Sequence, residues 1–402
     1  MKEKFVLLRG GPHFPRDPFR GPAATDLEGP AGVTERLSID VEDVEIDDRT
    51  ALTRWSRDES VVAAAPVMPM RLIAPVSKRD DDPNRGSQAR TDWGITAVRA
   101  DRSHYTGHGI VIAVLDTGID SIHPAFADVE LIEQDFTGEG NGDRDGHGTH
   151  CAGTIFGLTT EQTRIGVAPG IKTALIGKVL GGDGGSSDQI VHAVMWAIQN
   201  GANVISMSLG IDFPGFQRQL QEEHGFPPEI ATDRALEGYR MNVRLFERLA
   251  SMVHAGAAFF QPAMIIAAAG NESRREIDPG YEVSVSPPAV SDGMLAVGAL
   301  GRSAGGLEVA PFSNTGVDLC GPGVDVLSAR FGGGVAISSG TSMAAPYVAG
   351  VAALWAEKLK QGGTLPIDLW TARLLSSGSL SQLRAGFRPA HVGAGLVQAP
   401  VD

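Results

Sequence analysis

Three short runs carry side chains suited to nucleophilic chemistry. Asp116 stands in Asp-Thr-Gly, His147 opens His-Gly-Thr-His, and Ser342 lies in Gly340-Thr341-Ser342-Met343-Ala344-Ala345-Pro346. A serine hydroxyl stays protonated at neutral pH and is a poor nucleophile. An imidazole that takes its proton, with a carboxylate to hold that imidazole, makes it competent for acyl transfer. Asp-Thr-Gly also suits an aspartic dyad, but two carboxylates sharing a proton need a second copy, and the chain has none.

These groups need a frame. From Trp93 onward short apolar runs alternate with helical patterns, which predicts an α/β domain with a mostly parallel sheet covered on both faces. Ile110–Leu115, Lys172–Val179, Asn203–Met207, Met264–Ala269 and Met294–Val297 read as its strands. Ser187–Gln199 reads as a helix with a serine at its N-cap and Ile190, Val194, Ala197 and Ile198 at helical spacing. Sites on open α/β sheets lie beyond the carboxyl ends of the strands. Asp116, Ser208-Leu209-Gly210 and Asn271 each follow a strand, so all three are expected on one rim. His147 and Ser342 each open a helix, where free amides and the dipole favour negative charge.

The order Asp, His, Ser and the three local contexts resemble the subtilisin-like serine proteases, or subtilases, over about Trp93 to Leu396. The resemblance implies a three-layer fold and a serine endopeptidase working through an acyl-enzyme without a catalytic cofactor. Ser342 would be the nucleophile, His147 the base and Asp116 its orienter, with His150 left to pack or bond locally. Asn271, in Ala268-Ala269-Gly270-Asn271-Glu272, matches the family asparagine that donates to the oxyanion. Gly184-Gly185-Ser186 and Ser208-Leu209-Gly210 match the two segments that pair with an extended peptide. Ala269 and Gly270 would also bind substrate, and Glu272 and Ser286-Pro287-Pro288-Ala289 would wall the first specificity pocket, with Glu272 weakly favouring a basic or polar side chain. Cys151, four residues after His147 and so on the same helical face, resembles the thiol beneath the catalytic histidine in the proteinase K and thermitase branch.

Upstream, residues 1–76 read as a small α+β unit. Lys4–Leu8 and Arg36–Val44 suit strands, Thr50–Ser56 a short helix, and Ser60–Val76 an edge strand with prolines. Its placement resembles the family's inhibitory propeptide, which makes the N-terminal unit an expected intramolecular inhibitor. Residues 77–90, charged and without a hydrophobic period, read as a linker with a processing site, followed by the catalytic domain 91–402.

Other features bound the answer. With 34 Lys and Arg against 48 Asp and Glu, a net charge of −14 argues against a nucleic-acid or anionic-membrane surface. No apolar stretch approaches the roughly 20 residues of a membrane-spanning helix. Two cysteines and an N-terminus without a secretory pattern fit a cytoplasmic protein. Leu158–Arg164 replaces the asparagine-rich loop of the family's strong calcium site with fewer oxygen ligands and an arginine; a structural calcium elsewhere stays open. Gly181–Gly185 lacks the Gly-Lys-Ser/Thr ending of a phosphate loop. The insertion Asp212–Pro262 carries a helix at Thr232–His254 with Leu236, Tyr239, Val243, Phe246 and Leu249 as its apolar stripe, in a lid or a partner site. Three alternatives accompany the endopeptidase. One is a ligase or maturation protease for a dedicated precursor. Another is an esterase, although Gly-Thr-Ser-Met-Ala lacks the closing glycine of Gly-x-Ser-x-Gly. The third is an inactive peptide-binding module.

Overall fold

The computed structural model describes residues 2–10, 38–45, 49–80, 90–257 and 261–402. Its frame is an eight-stranded sheet. The strands run in the order Gly306–Val309, Met294–Ser303, Met264–Ala268, Val204–Met207, Val111–Asp116, Thr173–Lys178, Glu130–Asp135, and Leu319–Pro322 also pairs with Met294–Ser303. Every pairing is parallel except the hairpin of 306–309 on 294–303. Central strands such as Val204–Met207 and Met264–Ala268 are buried along their whole length, which is why they read as continuous apolar runs. Helices His147–Phe156 and Thr341–Lys360 pack on each other and on the sheet, and Ser187–Gln199 packs on Val111–Asp116 and Thr173–Lys178. The result is a three-layer α/β arrangement.

The helix Thr341–Lys360 is buried through most of its length and built largely of alanine, glycine and valine. Small residues bring its axis close to the sheet. A Cβ on Gly321, in the strand Leu319–Pro322, would stand 2.4 Å from the Ala344 carbonyl of this helix, closer than atoms approach.

The N-terminal unit is a three-stranded antiparallel sheet with Lys2–Arg9 between Ser38–Glu45 and Val61–Pro66. Side chains alternate across a strand. Phe5 and Leu7 meet Ala51 and Trp55 of the helix Arg49–Arg57 in a small separate core, while Val6 and Leu8 join the main core. Both faces of this strand are thus covered.

The insertion meets this sheet. Helix Pro228–Gly256 buries Ala231, Ala235, Gly238, Asn242, Leu245, Phe246 and Leu249. The expected stripe holds only in its second half, since Leu236 is 51% exposed. Small residues take its place because the sheet comes close: a Cβ on Gly238 would lie 3.1 Å from Pro66 and 3.4 Å from Met68 Sδ. Asn242 donates to the carbonyls of Pro66 (2.8 Å) and Gly238 (3.0 Å).

The first residues of the expected linker are structured. Ser77–Asp80 pairs antiparallel with Val335–Ser339, and Arg90–Thr91 pairs with Thr163–Arg164. Residues 81–89 lie outside the described residues.

Candidate active site

Asp116 ends its strand, Ser208 follows the adjacent strand Val204–Met207, and Asn271 follows the next one, Met264–Ala268. The three groups therefore share the carboxyl rim of neighbouring strands, as the rule for open sheets requires. His147 Nδ1 lies 2.7 Å from Asp116 Oδ1, with both side chains buried. Burial disfavours the charged ring, but the Asp116 carboxylate outweighs it and holds His147 well above the ordinary histidine value. Among the described residues, His147 Nε2 is buried and has no hydrogen-bond partner. That leaves it as the ring atom able to accept a proton from a substrate-side group.

The helix bearing His147 is held by a residue that the sequence reading passed over. Asp143 is 5% exposed and accepts from Thr117 Oγ1 (2.9 Å), Gly146 N (2.9 Å), Thr149 N (2.9 Å) and Thr149 Oγ1 (2.6 Å). Burial raises its carboxyl, and these donors more than compensate, so it sits below the usual carboxylate range. Gly148 N donates to Thr117 Oγ1 at 2.9 Å, which ties the helix start to the Asp116 turn. The approach needs glycine: a Cβ on Gly148 would meet the Gly118 carbonyl at 2.1 Å. An aspartate four residues before a helix-opening histidine is the only signal the sequence carries for this.

Asn271 is oriented by the residue before the serine. Its Oδ1 accepts from Thr341 N (2.8 Å) and Thr341 Oγ1 (2.9 Å), and Gly270 N donates to the same Thr341 hydroxyl at 3.1 Å. The amide nitrogen of Asn271 therefore points outward. A Cβ on Gly340 would lie 2.9 Å from Asn271 Nδ2, 3.0 Å from Ser342 Oγ and 3.6 Å from Pro75 Cα, so these groups converge on one point. Ser342 is fully buried, and its hydroxyl is directed toward Met343 Sδ at 3.6 Å.

The chain's own residues 69–80 run past this point. Pro69–Leu72 lies as a strand between Gly185–Ser186 and Leu209–Ile211, antiparallel to both. Gly184 lies alongside, a Cβ there falling 2.7 Å from the Met70 carbonyl. Ile73 N donates to Ser208 O (3.2 Å), Asn271 Nδ2 donates to Ala74 O (2.9 Å), and Val76 N donates to Ser339 O (2.7 Å). Ser77–Asp80 then leaves along Val335–Ser339. An extended peptide thus crosses the rim with the Ala74 carbonyl against the Asn271 amide.

The remaining expected site residues divide. Ala269 and Gly270 sit on the rim, but their polar groups bond within the domain, Ala269 O to Asn314 Nδ2 and Gly270 N to Thr341. Ser286 and Pro287 flank Gly210 and Ile73, since a Cβ on Gly210 would lie 3.4 Å from Ser286 Oγ and 3.8 Å from Ile73 Cγ1. Glu272 is engaged on both oxygens: its Oε1 lies 3.0 Å from Arg71 Nη2, and its Oε2 accepts from Asn314 Nδ2 at 2.7 Å.

His150 bonds locally. Its Nε2 lies 3.2 Å from Ala336 O and 3.3 Å from Val326 O, and burial together with the charge of His147 pushes it down to about 3. Cys151 Sγ lies 3.7 Å from His147 Nδ1 and 3.4 Å from Ser342 O, and burial raises its thiol. The loop expected to replace a calcium site closes as a tight turn between Thr160 and Thr163, with Glu161 and Gln162 at positive φ. Arg164 donates from the same loop to Ala100 O at 3.1 Å. A guanidinium there, with one loop carboxylate, does not fit a calcium ion.

A buried Asp116–His147 pair on the carboxyl rim of a parallel sheet and a serine at a helix start are the groups that serine-dependent acyl transfer uses, although here His147 Nε2 makes no hydrogen bond to Ser342 Oγ. The subtilase family model matches residues 107–376, and the chain belongs to that family. It is 32% identical to the M-protease of Shouchella clausii (strain KSM-K16) over 302 residues, which is 72% of this chain and 66% of that protein. It is 33% identical to subtilisin BL of Lederbergia lenta over 278 residues, covering 66% of this chain and 84% of that protein. With subtilisin E of Bacillus subtilis (strain 168) the identity is 34% over 270 residues, covering 65% and 60% respectively. The match therefore spans just under two thirds of the M-protease's own length. Among the described residues no helix is long and apolar enough to cross a membrane.

Proposed function

We propose that this chain is a serine endopeptidase whose N-terminal unit, residues 1–76, holds it closed. The carrying observation is the peptide carbonyl of Ala74 seated 2.9 Å from Asn271 Nδ2, on the same sheet rim as the buried Asp116–His147 pair. In the open enzyme a substrate strand replaces residues 69–76. Ser342 Oγ attacks the carbonyl carbon while His147 Nε2 takes its proton. The Asn271 amide and the Ser342 backbone N–H hold the oxyanion, which exists only along the reaction path. His147 returns the proton to the departing amine and leaves an acyl-enzyme. Water then attacks, His147 again removes a proton, and the acid is released with Ser342 restored.

The chain's own Ala74–Pro75 bond is a poor substrate for two physical reasons. The proline nitrogen carries a ring carbon in place of hydrogen, which crowds the atom that His147 must protonate. The departing amine also stays beside the acyl group through the bond from Val76 N to Ser339 O and the strand Ser77–Asp80, which slows its loss without preventing it. Opening is assigned to a cut in the linker 77–90 followed by loss of the N-terminal unit. The cytoplasm is the proposed compartment.

A fluorophosphonate probe tests this reading, since it labels an activated serine irreversibly. Labelling of Ser342 with hydrolysis of an unfolded protein, both lost in Ser342→Ala, is the expected result. Labelling without hydrolysis of any peptide would favour the esterase, absence of labelling would favour the inactive binding module, and a ligated product in the presence of an added amine would favour the ligase.

A further inference from the structure

The inhibitory segment carries one positive charge into the cleft, and two carboxylates wait for it. Arg71 lies opposite Gly210 on the paired edge, three residues before Ala74. Its Nη2 is 3.0 Å from Glu272 Oε1 and its Nη1 3.4 Å from Asp212 Oδ1. Neither acid pairs with any other cation among the described residues. Both are fixed independently of Arg71: Glu272 by Asn314 Nδ2 at 2.7 Å, Asp212 by accepting from Gly215 N at 3.1 Å as the cap of helix Phe213–Glu222. Gly215 lies in the helix that Asp212 caps and Asn314 in a loop after the strand Gly306–Val309, so neither anchor belongs to residues 69–76, although Asp212 N also donates to Pro69 O at 2.9 Å. Removing the segment therefore exposes two oriented acids side by side, with no cation to balance them.

We infer that Asp212 and Glu272 form an anionic subsite that selects an arginine or lysine side chain at the substrate position held here by Arg71. This rests on the peptidase reading above and names the substrate class, peptides with a basic residue on the upstream side of the cut. The surroundings agree in sign. Arg71 borders a cavity of about 620 Å³ whose further acidic lining residues are Glu139, Asp145 and Asp183. Of the two lining cations besides Arg71, Lys178 lies 3.2 Å and Arg144 3.8 Å from the carboxylate of Glu139. A planar guanidinium reaches two carboxylates at once through separate N–H groups, which an ammonium does less well. Arginine should therefore be preferred over lysine. The basic residue in the chain's own inhibitor is then a copy of the preferred substrate side chain, joined to a bond that resists cutting.

The test uses the full chain after cleavage in the linker 77–90 and quenched peptides Pro-Met-X-Leu-Ile-Ala-Ala-Val-Ser, with X as arginine, citrulline, methionine or glutamate. Citrulline keeps the shape of arginine without its charge. We expect kcat/KM for arginine to exceed that for citrulline by about fivefold, the size of a partly exposed ion pair, with glutamate poorest. In the Asp212→Asn, Glu272→Gln double variant the arginine-to-citrulline ratio should fall to about one. Turnover with the same ratio in both forms would overturn the subsite and leave the peptidase reading standing. A cycle on the closed chain supplies a readout that does not need turnover. Arg71→Gln and the double acid variant should each speed fluorophosphonate labelling of Ser342, and combining them should add nothing further. Additive acceleration would overturn the pairing. No turnover and no labelling in any form would overturn the peptidase reading and the subsite with it.

Discussion

Asn271 Nδ2 donates to the carbonyl of Ala74 at 2.9 Å, while the Oδ1 of the same side chain is held by Thr341, the neighbour of Ser342. The amide is thus aimed before any charge develops. Asn271→Ala removes a preorganised donor, and kcat should fall about 10²- to 10³-fold with KM little changed. Steady-state kinetics on one of the arginine peptides checks this. A loss carried mainly in KM would mean that Asn271 binds substrate rather than the transition state.

Thr341 offers a sharper version of the same idea. Thr341→Val keeps the shape but removes the hydroxyl that links Gly270 N to Asn271 Oδ1. We expect a smaller loss in kcat, about tenfold, because the Thr341 backbone N–H still orients the amide. Kinetics of Asn271→Ala, Thr341→Val and the pair should show no further loss in the double variant.

The pH dependence follows from His147. The base must be neutral to accept the Ser342 proton, and the Asp116 carboxylate holds its value well above the ordinary one. Activity should therefore fall on the acid side at a pH above the usual histidine range of about 6.5. Asp116→Asn removes the raising charge, so the acid limb should move down in pH while kcat drops about 10⁴-fold. A pH–rate profile of kcat/KM reads both. An unmoved limb would assign the titration to another group.

His150 acts in the opposite sense on stability. It is buried and neutral, with its value lowered from 6.5 to about 3 by burial and by the charge of His147. A histidine depressed in the folded state binds its proton more readily once unfolded. Its stabilising contribution is present above pH 6.5 and is lost as the pH falls toward about 3. Thermal melts from pH 7 to 4 should show a steeper decline for the native chain than for His150→Gln.

Cys151 lies within reach of the same histidine. The ligand atoms of Asp116, His147 and Cys151 fall within 4.8 Å of one another, an arrangement that a soft cation can bridge. A small mercurial should abolish labelling of Ser342, and Cys151→Ala should restore labelling in its presence. Iodoacetamide should react slowly, because the thiol is 1% exposed and its ionisation is suppressed by burial.

The sequence makes the chemistry more legible than its supports. Asp116, His147, Ser342 and Asn271 stand in local runs that announce strand ends and helix starts, and the structure brings all four to one rim. Helix Ser187–Gln199 is legible because its apolar positions keep helical spacing over three turns. Arg71, Asp212 and Glu272 meet across separations of 141 and 201 residues, which no local pattern encodes. Ser77–Asp80 reads as a charged linker because every side chain is exposed; its strand state comes from pairing with Val335–Ser339. The long insertion helix buries a smaller leucine-type stripe than its sequence suggests for a related reason. Its contact face is set by how closely Pro66 and Met68 approach, so glycine and alanine do what leucine was expected to do.

The central claim is that Ser342 cuts peptide bonds and that Pro75 keeps the enzyme from cutting the bond already in its site. Intact-mass measurement of Pro75→Ala, alone and with Ser342→Ala, tests it most directly. The account predicts scission after Ala74 in Pro75→Ala, none there in the native chain, and none in the double variant. Scission after Ala74 that survives Ser342→Ala, or a Pro75→Ala chain that stays whole there while labelling at Ser342, would contradict it.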